Sequence, residues 1–269
     1  MLARFHFREE FGSVKTRLDK LLVDRGLAPS RPRAQALILA GKVLVNEQKA
    51  AKAGATIDSD SALRLLGDDL RYASRGGLKL EKALEHWRID LAGKVCLDIG
   101  ASTGGFSDCM LQHGAAKVIA IDTGYGQMDF RLRSDPRLRL LERTNARYLE
   151  PSDVGEPVDF IAMDVSFISA TLVLPAVIRA VASCADAQRK GACQIVVLVK
   201  PQFEAGREAV AKGGIVRDES AQRAAVAKVE AALRQLGCQN TESIESPILG
   251  SEGNREFLLR AEFSRLVAQ

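Results

Sequence analysis

The sequence predicts an α/β protein: a mostly parallel sheet covered by helices on both faces, closed by an antiparallel C-terminal hairpin and preceded by a small α+β module. Three observations predict it. From residue 94 onward, short apolar runs alternate with amphipathic stretches, the pattern of doubly buried strands and the helices that cover them. The last two strand-like runs are separated by a Gly-rich turn, which suits an antiparallel pair. The first 66 residues read differently, as two short helices leading into a compact hairpin. A length of 269 residues accommodates one large and one small domain.

Residues 1–15 are read as a disordered extension. Arg4, Arg8, Glu9 and Glu10 interrupt any apolar run there, so it is not a secretory signal. The module itself spans 16–66. Leu18, Leu21, Leu22 and Arg25 fall at helical spacing, and Gly26 stops that helix. Ser30 is a candidate N-cap for a second helix, with Pro32 in its first turn and Ala34, Leu37 and Ile38 following. Lys-Val-Leu-Val-Asn after Gly41 reads as a short strand turning at Asn46, and residues 62–66 as another.

The polar faces of this module carry Arg17, Lys20, Arg31, Arg33 and Lys42. The net charge of +4 conceals a gradient, because the 38 residues from Lys15 to Lys52 hold nine Lys/Arg against three acids. That is +6 locally and −2 for everything else, the balance of a basic grip attached to a near-neutral body. Over 34 residues, RLDKLLVDRGLAPSRPRAQALILAGKVLVNEQKA resembles the S-four-type RNA-binding domain. The resemblance implies that the five basic residues bind structured RNA through phosphate and shape. The segment lacks an aromatic stacking platform, which disfavours single-strand base stacking.

Residues 67–73 read as a polar linker, and 74–269 as the second domain. Strands are expected at 95–99, 117–121, 138–141, 157–163 and 195–199, helices at 106–112, 169–182 and 219–236, and the closing strands at 243–248 and 256–263. The first strand runs into Asp98-Ile-Gly-Ala-Ser-Thr-Gly-Gly-Phe106. Glycines 100, 104 and 105 let the backbone pass close to a ligand at the carboxyl end of that strand. The spacing is neither G-x-G-x-x-G nor a phosphate-binding loop with Gly-Lys-Ser/Thr. Asp122 closes the second strand, where a carboxylate can accept both ribose hydroxyls of an adenosine. Asp98 can organise the loop or reach an ammonium group.

The D-x-G-x-x-x-G-G-F run resembles the first motif of S-adenosylmethionine-dependent methyltransferases, which implies a Rossmann-like class I sheet. The resemblance assigns Asp98, Gly100, Ser102, Gly104, Gly105, Phe106, Asp122 and Asn145 to cofactor binding, with Asn145 facing the adenine. Asp164 ends the fourth strand in Asp-Val-Ser-Phe, which lacks the prolines of amino-methylating enzymes. Lys200 ends the fifth in Leu-Val-Lys-Pro-Gln-Phe, where Pro201 halts the strand and turns the lysine toward the cleft rim. With Lys79 and Glu256 they match the Lys-Asp-Lys-Glu tetrad of FtsJ-like ribose 2′-O-methyltransferases.

SRGGLKL (74–80), DTGYGQ (122–127), DVSFIS (164–169) and LVKPQFEAGRE (198–208), together with the N-terminal module, are similar to the TlyA family, often labelled haemolysin A. That likeness implies methylation of ribosomal RNA or ribosomal subunits, on cytidine ribose; the scattered cysteines suit a reducing cytoplasm and no zinc site. In the family reading Lys79, Asp164, Lys200 and Glu256 are catalytic, and Lys200 lies nearest the 2′-oxygen as base or as its electrostatic stabiliser. Lys79 repels a charge on Lys200 while the two carboxylates attract one, so the residues alone leave its protonation open. Arg131, Arg133, Arg137, Arg139 and Arg143 form a basic loop beside the expected cleft mouth, either a phosphate contact or a solvated surface.

Three rival functions are weaker. A membrane-active haemolysin needs a spanning or amphipathic segment, and the most apolar runs, such as Ile195 to Val199, fall far short of roughly 20 residues. A non-catalytic RNA-binding protein would lack the tetrad or the glycine turn. A nicotinamide dehydrogenase would carry different glycine spacing. Five scattered cysteines without a C-x-x-C pair exclude a disulfide framework, and His6, His86 and His113 lie too far apart for helical pairing at a metal.

Overall fold

A computed structural model describes residues 15–28, 30–50, 52–66, 71–184, 192–211, 213–250 and 253–264. The extension read at 1–15 lies outside them except for Lys15, which sits in a strand. The chain divides into two compact units, 1–69 and 70–269.

In the first unit, β1 (Lys15–Arg17) leads into α1 (Leu18–Asp24) and α2 (Arg31–Leu39), followed by β2 (Val43–Val45), β3 (Gln48–Lys49), β4 (Thr56–Asp58) and β5 (Leu63–Leu65). The Ser30 hydroxyl accepts from Arg33 N, as an N-cap should, and Pro32 occupies the first turn of α2. Positive φ at Asn46 and Glu47 makes the tight turn between β2 and β3. The strands form a pair β1–β4 and a sheet β3-β2-β5, all antiparallel. Leu18, Leu22, Ala34, Leu37, Ile38 and Val43 bury the helix pair against this hairpin.

The second unit opens with α3 (Gly76–Trp87) and continues through β6 (Val95–Ile99), α4 (Gly105–Gln112), β7 (Lys117–Ile121), α5 (Phe130–Arg133), β8 (Leu138–Leu141), α6 (Pro151–Val154) and β9 (Phe160–Met163). It closes with α7 (Ala170–Ser183), β10 (Ala192–Val199), α8 (Pro201–Glu204), α9 (Glu219–Gln235), β11 (Cys238–Glu245) and β12 (Phe257–Ser264). The sheet order is β11-β12-β10-β9-β6-β7-β8; β12 runs antiparallel to both neighbours, and the pairs from β10 to β8 are parallel.

Strand side chains alternate between two cores. Leu97, Ile99, Ile161, Met163, Ile195 and Val197 pack with α7 and α9, while Cys96, Val118, Phe160, Ala162, Val196 and Leu198 pack with α3 and α4. The chain reverses its direction of travel across the sheet between β6 and β9, the crevice where open α/β sheets bind ligands.

Helix α3 is absent from the sequence expectation, because its Gly-Gly start has no side-chain cap and its inner face buries Lys79 and Glu81 beside Leu80, Ala83 and Leu84. Strand β11 begins five residues earlier than expected, over polar residues that a sheet edge exposes; a register shift lies between Gln239 and Glu242. Residues 71–73, read as linker, dock on the second unit: Tyr72 is buried, Ala73 N donates to Asp108 Oδ2 at 2.8 Å, and Gln112 Nε2 donates to Arg71 O at 2.9 Å. The rest of that linker, 67–70, lies outside the described residues.

Candidate active site

The carboxyl ends of β6 and β9 approach so closely that the turn between β6 and α4 needs glycine. Gly100 has φ +87°, and a Cβ there would lie 2.3 Å from the Asp164 carbonyl oxygen. Gly104 has φ +94° and would strike Leu132 and Met128, while a Cβ on Gly105 would lie 2.2 Å from Ser74 Oγ. The expectation of space for a ligand thus acquires a different physical reason: each hydrogen faces the protein's own atoms. Asp98 organises the same turn, because its fully buried Oδ2 accepts from Ser107 Oγ at 2.6 Å and ties β6 to the first turn of α4. Burial pushes this carboxyl up to about 7, with the charges of Asp164 and Asp122 adding to the effect and the Ser107 hydrogen bonds opposing it.

Asp122, at the end of β7, holds the turn from the other side. Its Oδ2 accepts from Ser102 N at 2.7 Å and its Oδ1 from Gly124 N at 2.6 Å. Asn145 caps a 3₁₀ turn at Ala146–Tyr148 by accepting from Arg147 N at 3.1 Å. Gly100, Ser102, Asp122 and Asn145 line one cavity of about 570 Å³, whose apolar wall includes Ile99, Ile121, Ala146 and Val173.

A second cavity, of about 240 Å³, shares Gly100, Ser102 and Asp164 with the first and adds Lys79, Lys200, Glu256, Gly105 and Phe106. All four tetrad residues therefore meet in one place, divided into two ion pairs. Lys79 on α3 pairs with Glu256, both nearly inaccessible to solvent. Lys200 Nζ stands 2.6 Å from Asp164 Oδ1 and donates to Ser166 Oγ at 2.7 Å. The contact with Asp164 is an ion pair rather than an aligned hydrogen bond, since Oδ1 has no hydrogen-bond partner among the described residues. Asp98 and Gly104 line neither cavity; they act beneath the turn.

Residues 72–263 match the FtsJ-like methyltransferase family, and residues 16–61 match the S4 domain. The chain belongs to the FtsJ-like methyltransferases. YqxC of Bacillus subtilis is 46% identical over 92% of this chain and 85% of its own length. The 16S/23S rRNA (cytidine-2′-O)-methyltransferase TlyA of Mycobacterium tuberculosis is 44% identical over 91% of this chain and 89% of its own. A solved structure from Streptococcus thermophilus, 43% identical, superposes with a TM-score of 0.70 over 93% of this chain and 89% of that one.

In the S4 domain the basic residues are ordered by an acid. Asp19 is buried, and its carboxylate accepts from Arg17 Nε at 3.0 Å, from an Arg31 guanidinium nitrogen at 3.2 Å and from Gln35 Nε2 at 2.8 Å. The Arg17 hydrogen bond, followed by those of Gln35 and Arg31, holds Asp19 well below the usual carboxylate range. Lys20 is exposed, and Arg33 and Lys42 are partly exposed.

In the FtsJ-like domain the five-arginine loop separates into two kinds of residue. Arg133 and Arg137 are neutralised by Glu142 and Asp135, and Arg131 pairs with Asp129. Arg139 donates to Val154 O at 3.0 Å, whereas Arg143 lies over the Tyr125 ring at 4.3 Å. Ser166 and Phe167 have no role in the sequence pattern beyond following Asp164. The structure places Ser166 on Lys200 and leaves Phe167 91% exposed at φ +64°, its ring 5.3 Å from Phe203. Their position directly after the strand-ending Asp164 was the available signal. Among the described residues no helix is long and apolar enough to cross a membrane.

Proposed function

We propose that this chain transfers a methyl group from S-adenosylmethionine to a ribose 2′-hydroxyl of ribosomal RNA, with cytidine as the target nucleoside, in the cytoplasm. The observation that carries the reading is the meeting of the Lys79–Glu256 and Lys200–Asp164 pairs in one cavity that opens onto the glycine turn. The TlyA relative, by its name, performs this reaction.

The residues of the larger cavity suit the methyl donor. Its volume of about 570 Å³ lies within the range of small-molecule sites. Each Asp122 oxygen takes one backbone N–H and, as a carboxylate oxygen, keeps a further lone-pair site for vicinal hydroxyls. Ile99, Ile121, Ala146 and Val173 provide an apolar wall for a purine. When bound, S-adenosylmethionine supplies an electrophilic methyl group on a sulfonium.

The chain's own task is then placement and charge. The reaction is an in-line displacement, so the rate depends on how the acceptor oxygen is oriented and relieved of its proton. Lys200, held as an ammonium by Asp164 and Ser166, meets that oxygen and offsets the negative charge that develops on it while the hydroxyl proton passes to solvent. Lys79 and Glu256 line the same cavity, and their buried charges satisfy each other. Lys20, Arg33 and Lys42, with Arg17 and Arg31 arranged on Asp19, hold RNA phosphates.

The test is incorporation of labelled methyl groups into separate ribosomal subunits and into protein-free ribosomal RNA. Label in the RNA of at least one of these is expected; no incorporation into any of them contradicts the proposal.

A further inference from the structure

Two loops supply the Lys200–Asp164 pair: 164–169 after β9 and the single turn of α8 after β10. Each is short, and the first is anchored at its root, where Asp164 N donates to Ile99 O at 2.8 Å. Three links join them. Lys200 reaches Asp164 and Ser166, and Phe203 touches Phe167, but both of these links face the cavity or solvent. The third is buried. Glu204 is 5% exposed, and its carboxylate accepts from Ala170 N at 2.6 Å and from the Ser169 hydroxyl.

Glu204 thereby completes the N-terminus of α7, a 14-residue helix, from a different segment of the chain, where a negative charge also suits the helix dipole. Lys228 on α9 closes the cluster, donating to Glu204 O at 2.8 Å and lying 3.5 Å from the carboxylate. Glu204 lines neither cavity.

We infer that Glu204 is a positioning residue for methyl transfer: its buried carboxylate locks the turn carrying Lys200 onto the loop carrying Asp164 and Ser166, and so sets where the Lys200 amine stands. The inference rests on the proposed function. Lys200 and Glu204 are the two ends of one helical turn, with Phe203 N donating to Lys200 O and Ala205 N to Pro201 O, so the turn moves as a piece. None of the residues from Lys200 to Glu204 lines the cavity around Asp122 and Asn145, although Asp164 to Ile168 on the facing loop do. A shift of the turn by a fraction of an ångström therefore changes the Lys200–Asp164 geometry first, and the predicted loss falls on the chemical step far more than on donor binding.

The experiment uses the full chain with Glu204→Gln, which keeps the side-chain volume and removes the charge. Steady-state transfer to RNA, donor affinity by calorimetry and thermal melting are measured on the same preparation. The expected result is a kcat lower by about 10–100-fold, with donor Kd and the KM for RNA within about twofold of wild type and melting above the assay temperature. A kcat equal to wild type overturns the inference, as does a parallel decline of kcat and donor affinity, which would mark a purely structural role.

If Glu204→Gln does not fold, Ser169→Ala removes one donor of the lock and should show the same split at about 3–10-fold in kcat; an unchanged kcat there overturns the inference. Wild-type protein that methylates no RNA overturns the proposed function and this role together. Active wild type with an equally active variant overturns the role alone.

Discussion

Lys79 and Glu256 stand 177 positions apart in the chain and pair as a buried couple, with side chains 11% and 3% exposed. The pair joins α3, which precedes the sheet, to the segment entering its last-numbered strand, and it closes one wall of the cavity that holds Lys200.

Removing one partner of this couple leaves an uncompensated charge out of water. Glu256→Leu should cost about 3–5 kcal/mol of stability, and Lys79→Met in the same chain should restore much of it, since a buried pair is worth little against an apolar replacement. Urea unfolding of both single variants and the double variant measures this. Losses that simply add would contradict the pairing.

Gly100→Ala should damage the site through geometry alone. Its φ of +87° disfavours a Cβ, and that atom would meet the Asp164 carbonyl at 2.3 Å. A loss of stability greater than about 1 kcal/mol is expected, together with weaker donor binding, because Gly100 lines both cavities. Gly126→Ala is the control: φ is +71° but nothing lies within 4 Å of its Cβ position, so only backbone strain is felt. Equal effects of the two substitutions on donor affinity would refute the clash.

Asp98 makes stability depend on pH in an unusual direction. Its folded value near 7 exceeds that of an unfolded aspartate, so the folded state keeps a proton that the unfolded chain releases between about pH 4 and 7. Its contribution is therefore complete below about pH 4 and is lost as the pH rises through 7. Asp98→Asn abolishes the titration. The melting temperature of the variant relative to wild type should climb from pH 5 to pH 8, by an amount corresponding to about 2–3 kcal/mol; a difference independent of pH would contradict it.

Asp19→Asn separates arrangement from charge in the S4 domain. The substitution raises the net charge by one, which by simple attraction should tighten RNA binding. It also releases Arg17 and Arg31 from their shared acceptor. The expected outcome is weaker binding, by about 3–10-fold at fixed salt, and lower stability at neutral pH. Since the depressed carboxyl contributes above about pH 4 and loses that contribution in acid, the stability gap should shrink as the pH falls below 4. Tighter binding would show that Asp19 arranges nothing.

Much of the sheet was legible because its strands are largely apolar runs ended by a glycine or a charged residue: Ile99 before Gly100, Met163 before Asp164, Val199 before Lys200. Those endings mark where the chain leaves the sheet, and with the resemblance to known methyltransferases they named the site. Helix α3 was not legible, since it starts at two glycines and hides a lysine and a glutamate among its inward residues. The pairing of Lys79 with Glu256 is a tertiary fact with no local pattern behind it. Arg17 and Arg31 counted as free charge in the composition, yet one buried aspartate organises both. Gly100 looked like room for a ligand and proved to be room for the Asp164 carbonyl.

The most direct measurement follows labelled methyl groups from S-adenosylmethionine into ribosomal RNA, with wild type and Lys200→Ala side by side and the product digested with alkali. Wild type should place label in alkali-stable dinucleotides, because a 2′-O-methyl group blocks cleavage at that phosphate. Lys200→Ala should transfer none while binding the donor as wild type does. Label confined to mononucleotide bases, or an active Lys200→Ala at neutral pH, would contradict the account.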